Sequence, residues 1–205
     1  MKKYSLVLKE LSSLVDKIDE KEFSTLVDSI ITAGHVFLAG AGRSGQMINA
    51  FANRLMHLGL SVSVVGEISA PHSRKNDLMI VGSGSGETQR LINQVKIAKN
   101  NGVYIALITT SPDSTLATLA DYVLTIPAVH SVQPMASLFE QASLLTYDSM
   151  VLALMANLNE TNETMKERHA DIECYRRGGY YPRSLIAVSK SAISNQQSAH
   201  SEVLI

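Results

Sequence analysis

Twice in this chain a short apolar run ends in a turn of glycine and small hydroxyl residues and leads directly into a helix-like segment. The first run, His35-Val36-Phe37-Leu38-Ala39, feeds Gly40-Ala41-Gly42-Arg43-Ser44-Gly45, and the second, Leu78-Met79-Ile80-Val81, feeds Ser83-Gly84-Ser85-Gly86-Glu87-Thr88. Apolar runs of this length bounded by such turns read as buried strands. The same grammar continues along the chain, with strands expected at 35–39, 61–65, 77–82, 103–109 and 122–126. Helices are expected at 4–18, 20–33, 44–58, 87–100 and 114–120, and a long apolar one from Gln133 to Leu158. Strands that alternate with helices need crossover connections, and these cover both faces of a mostly parallel sheet. The expected fold is therefore α/β, a three-layer α/β/α sandwich around a five-stranded, mostly parallel sheet.

Both turns have the makings of an anion site. Backbone N–H groups at a helix start have no intrahelical partner and carry the positive end of the helix dipole. Ser83, Ser85 and Thr88 add hydroxyl donors, and Gly84 and Gly86 let the backbone come close to a guest. A phosphate monoester suits such a turn. The alternative is a plain tight connection, for which Ser and Gly are ordinary residues. The first turn is formally G-x-G-x-x-G, with Glu67 beyond the next strand where a ribose-binding acid would sit. Against a dinucleotide site, Arg43 and Ser44 occupy the ligand-facing positions, and a second anion turn has no place in that fingerprint. A Walker A loop is excluded, because Gly45 is followed by Gln46 and Met47 rather than Lys and a hydroxyl residue.

Composition removes other classes. At 205 residues and 45% apolar content the chain can bury one ordinary core. A single domain is expected over 1–173. Beyond it the texture changes to Cys174-Tyr175-Arg176-Arg177-Gly178-Gly179-Tyr180-Tyr181-Pro182 and a Ser-rich end, so 174–205 reads as an atypical tail, expected to be disordered. The lone Cys174 excludes an intramolecular disulfide, and no Cys/His cluster has structural-zinc spacing. Eighteen basic against 19 acidic residues, with no basic stripe, disfavour nucleic acid as a partner. The apolar runs are too short to cross a bilayer, and charge at Lys9 interrupts any leader-like run, so a cytoplasmic protein is expected.

The turn at 83–88 and the Gly42-Arg43-Ser44 turn together resemble the SIS (sugar isomerase) family. Within it, the chain resembles the 6-phospho-3-hexuloisomerases, over residues 1 to about 173. That resemblance rests on Ala41-Gly42-Arg43-Ser44-Gly45, Arg54-Leu55-Met56-His57-Leu58-Gly59, Val65-Gly66-Glu67, Gln133-Pro134-Met135, Ser137-Leu138-Phe139-Glu140-Gln141 and Arg168-His169-Ala170. It implies interconversion of 3-hexulose 6-phosphate and fructose 6-phosphate through a cis-enediol, in the ribulose monophosphate route of formaldehyde fixation. It also implies no metal and no organic cofactor, a sugar phosphate as small-molecule partner, and a homo-oligomer, dimer or tetramer.

Carried over residue by residue, the resemblance implies a phosphate and sugar site of Gly42, Arg43, Ser44, Glu67, Ser83, Gly84, Ser85, Gly86, Glu87 and Thr88. Glu140 is the expected base, with His57 and His169 as assisting groups, the latter reaching a neighbouring subunit. Each has a plainer reading: Glu140 as a first-turn carboxylate favoured by the helix dipole, His57 as a packing residue, and Arg43 as a partner of Glu67 or another acid. The sequence departs from the family in a short 127–132 loop, in Ala136 where Gly is common, and in the tail. A non-catalytic sugar-phosphate sensor and an arabinose 5-phosphate isomerase are the competing functions.

Overall fold

The computed structural model describes residues 1–172. The expected tail, 174–205, lies outside the described residues. A first helix, α1 (Lys2–Ser12), is followed by a single 3-10 turn (Val15–Lys17) and α2 (Glu20–Thr32). The expected helix over 4–18 thus stops early. Ser13 donates its hydroxyl back to the Glu10 carbonyl at 2.7 Å, which competes with continuation, and Leu14 turns inward to bury itself. Asp19 then starts α2 as a side-chain cap, accepting from the N–H groups of Lys21 and Glu22.

The α/β part runs β1 (Val36–Gly40), α3 (Gly42–His57), β2 (Val62–Val64), β3 (Leu78–Gly82), α4 (Gln89–Asn100), β4 (Tyr104–Thr109), α5 (Thr115–Leu119) and β5 (Tyr122–Thr125). The sheet order is β2-β1-β3-β4-β5, and every pair is parallel. The expected sheet is therefore present and parallel throughout. Alternating side chains face opposite layers, as a pleated strand requires. Val36, Leu38, Leu78, Ile80, Ala106 and Ile108 pack toward α2, α3 and α6, while Phe37, Ala39, Met79, Val81, Ile105 and Leu107 pack toward α4 and α5.

The long helix α6 (Ser137–Leu158) begins four residues later than the apolar pattern suggests. Met135 and Ala136 sit in the left-handed region, at φ 58° and 61°, which a right-handed helix cannot include. A short α7 (Asn162–Glu167), opened by a Thr161–Thr164 capping box, brings the chain back beside the end of α3. Among the described residues no helix is long and apolar enough to cross a membrane.

Strand order places the ligand crevice. From β1 the chain steps to β2 on one side and then to β3 on the other, so the order reverses between β1 and β3. In open parallel sheets ligands lie beyond the carboxyl ends of the strands at this reversal. The two glycine-rich turns follow these two strands.

Candidate active site

The turn after β3 is held from several sides. Within it, the buried Ser83 hydroxyl accepts from Gly86 N–H at 3.2 Å, and the exposed Ser85 hydroxyl accepts from Glu87 N–H at 3.3 Å. From the end of β4, the hydroxyls of Thr109 and Thr110 donate to the Gly84 carbonyl at 3.0 and 2.8 Å. Gly86 has φ +65°, and a Cβ there would lie 2.0 Å from the Ser114 hydroxyl. A Cβ on Gly84 would meet the Phe139 ring at 3.1 Å, so α6 presses on the turn as well. Thr88 precedes α4 without capping it by side chain.

The first turn is built alike. Gly42 opens α3 at φ +54°, and a Cβ on Gly40 would sit 2.9 Å from the Gly45 Cα, which is why the strand and helix meet so closely here. Ala41 gives α3 no side-chain cap either. Arg43, about half exposed, donates from Nη1 to the Glu140 carboxylate at 2.6 Å. Glu140, only 8% exposed, lies in the first turn of α6. A carboxylate paired with a guanidinium therefore stands beside two glycine-rich turns.

Two of the expected ligand groups have protein partners of their own. Glu87 accepts from Thr115 N–H and hydroxyl at 2.7 and 2.8 Å, fixing the start of α5. Those hydrogen bonds, the backbone one foremost, hold its carboxyl below the usual carboxylate range. Glu67 is exposed in the turn after β2, where it accepts from Val64 N–H at 3.3 Å, and Arg43 pairs with Glu140 instead of with it.

The histidines are not brought to Glu140 within one chain. Arg43 and His57 bracket α3, and 14 residues at 1.5 Å each separate them by about 21 Å. At the far end His57 is buried and stacks on His169, with ring centroids 5.3 Å apart and an interplanar angle of 12°. Arg54 Nη1 lies 3.4 Å from His57 Nδ1, Arg168 donates to the His57 carbonyl at 2.9 Å, and Lys166 lines the same cleft. Burial lowers the His57 pKa below that of a free imidazole, and the neighbouring Arg54 and His169 charges lower it further.

Sequence reasoning missed Arg90. Its guanidinium, in the first turn of α4, donates to the Gly40 carbonyl at 2.9 Å and so links the two turns. The available signal was a cation two residues past the second turn. Among the described residues, no three His, Cys, Asp or Glu side chains converge as a metal-binding group.

Comparison with known proteins gives this geometry a family. Residues 29–172 match the model of the SIS domain, and the chain belongs to that family. A 3-hexulose-6-phosphate isomerase of Bacillus subtilis (strain 168) is 40% identical over 176 residues, which cover 82% of this chain and 95% of the relative. One from Mycobacterium gastri is 39% identical, over 82% of this chain and 89% of the relative. A hypothetical protein from Methanococcus jannaschii has a crystal structure from which 3-hexulose-6-phosphate isomerase function was inferred. It superposes with a TM-score of 0.76 at 31% identity, covering 84% of this chain and 99% of its own.

Proposed function

We infer that this chain is a sugar-phosphate isomerase that interconverts 3-hexulose 6-phosphate and fructose 6-phosphate. The observation that carries the reading is the buried Glu140, paired with Arg43 at the sheet's reversal point beside the Ser83-to-Thr88 turn. Relatives at 40% and 39% identity over most of their length carry that activity in their names.

The division of labour follows from position. The start of α4, with Ser85 and Thr88, holds the 6-phosphate, and Arg90 supplies positive charge near it. The Glu140 carboxylate takes the C2 proton of the 3-ketose. The C2–H electron pair becomes the C2–C3 double bond as the C3 carbonyl oxygen gains negative charge, which Arg43 stabilises. Protonation at that oxygen gives the cis-enediol. Loss of the O2 proton and return of a proton to C3 then give the 2-ketose, fructose 6-phosphate.

His57 and His169 stand about 21 Å along α3 from Arg43 and therefore serve the site of a second copy, as shuttles of hydroxyl protons. Leu145 and Leu152, seven residues apart and so on one face of α6, are both exposed, and these large apolar side chains support an oligomer that covers them. The catalytic unit is residues 1–173, which contains the compact unit Met1–His169. A place in the ribulose monophosphate route of formaldehyde fixation, in the cytoplasm, follows from the same substrate.

A substrate panel tests the reading. Fructose 6-phosphate is expected to form from 3-hexulose 6-phosphate and not from arabinose 5-phosphate. Turnover of arabinose 5-phosphate alone would reassign the substrate, and saturable binding of fructose 6-phosphate without any turnover would make the protein a sensor.

A further inference from the structure

The carboxylate of Glu10, near the end of α1, accepts three hydrogen bonds from the segment that leads into α6. They come from Val132 N–H, the Ser131 hydroxyl and Gln133 Nε2, each at 2.8 Å. Gln133 Oε1 accepts in turn from Gln141 Nε2 at 2.9 Å, and Gln141 directly follows Glu140.

A carboxylate only accepts, so it dictates the order of both amides. Gln133 must turn its nitrogen to Glu10 and its oxygen to Gln141, and Gln141 must turn its nitrogen to Gln133. The Gln141 oxygen is thereby left over, buried and without a hydrogen-bond partner among the described residues. A native fold tolerates such an orphan only where something else fixes the group.

The anchored segment needs fixing. It contains two successive non-glycine residues in the left-handed region, Met135 and Ala136, and α6 has no side-chain cap of its own. Strained backbone of this kind persists only when its surroundings over-determine it. Glu10 is the group that ties it down.

We propose that Glu10 is a positioning residue for the Arg43–Glu140 pair: through Gln133 and Gln141 it holds the strained turn, and with it the first turn of α6 that carries Glu140. The proposal rests on the reading of Glu140 as the base. It assigns α1, which contributes no group to the crevice, a part in the chemistry.

The test reverses the polarity of the relay. In Glu10→Gln the new amide nitrogen opposes Gln133 Nε2, so both glutamines must flip or separate. In Gln141→Glu the new carboxylate opposes Gln133 Oε1. In the double variant the relay runs backwards intact: the amide introduced at position 10 donates to Gln133 Oε1, and Gln133 Nε2 donates to the carboxylate introduced at position 141. Each single variant is expected to lower kcat by about tenfold with KM nearly unchanged, the size of effect a sub-ångström misplacement produces. The double is expected to recover most of the loss.

Wild-type kcat in Gln141→Glu, where carboxylates face both ends of Gln133 and no flip relieves the clash, or single losses that multiply in the double variant, would overturn the proposal. Amide exchange of residues 137–140 gives a readout independent of turnover: faster in each single variant and restored in the double. Should the wild-type protein fail to turn over 3-hexulose 6-phosphate, the functional reading falls, while unchanged exchange in the single variants would sink the relay itself.

Discussion

Arg43 and Glu140 lie 97 residues apart in the chain and 2.6 Å apart in the fold, and the proposed chemistry depends on that contact. Glu140→Gln keeps the shape and removes the base, so kcat is expected to drop by about two to four orders of magnitude while affinity for fructose 6-phosphate barely changes. Ser85→Ala is expected to do the reverse and chiefly weaken binding. Steady-state kinetics and calorimetric titration with both variants check the division; similar affinity losses with turnover retained would contradict it. His57 carries a second residue-scale prediction. Its folded pKa lies below the 6.5 of a free imidazole, so the unfolded chain takes up the proton first as pH falls. Its stabilisation is therefore fully present above about pH 6.5 and is lost as pH drops toward the folded pKa. Thermal unfolding is expected at a lower temperature near pH 5.5 than near pH 7.5, and His57→Gln is expected to flatten that dependence. At this scale the sequence displayed the residue types but not their directions. Glu87, for example, accepts with both of its oxygens from Thr115, 28 residues on, a contact no local pattern displays.

The turns are the elements that make the site, and their glycines are the sharpest tests of them. Gly86→Ala asks for a Cβ within 2.0 Å of the Ser114 hydroxyl at a φ of +65°, so the turn must leave its place. The variant is expected to lose about 1–3 kcal/mol of stability and most of its affinity for sugar phosphate, read by denaturant unfolding and by titration. Gly42→Ala meets the same backbone penalty with nothing within 4 Å of the new Cβ, and is expected to cost only about 1 kcal/mol. Both turns were legible in the sequence because glycine, serine and a following helix pattern are local signals. The ends of α1 and α6 were not. The stop after Ser12 depends on Leu14 finding the core, and the late start of α6 on two left-handed residues held by Glu10, which is 122 positions from Val132.

For the whole molecule, the strand–helix alternation was enough to expect a parallel sheet, because crossovers leave few other solutions. Strand order was not written in any one segment; it comes from β1 pairing along one edge with β2 and along the other with β3. The separation of His57 from Arg43, by contrast, is legible from helix length alone once both are placed on α3. It makes assembly part of the functional account. Leu152, 68% exposed and seven residues beyond the exposed Leu145 on α6, is expected to be covered in an oligomer. Leu152→Lys is expected to shift the protein toward smaller species in light scattering and to lower activity at dilute concentration; an unchanged mass with full activity would place the subunit contact elsewhere. The central claim, proton transfer by Glu140 on a phosphate-anchored sugar, is tested most directly by incubating the protein with fructose 6-phosphate in deuterium oxide and following C3 by NMR. Wild-type protein is predicted to replace the C3 hydrogen with deuterium, and Glu140→Gln to bind the sugar without exchanging it. Binding without exchange by the wild type, or exchange undiminished in the variant, would contradict the account.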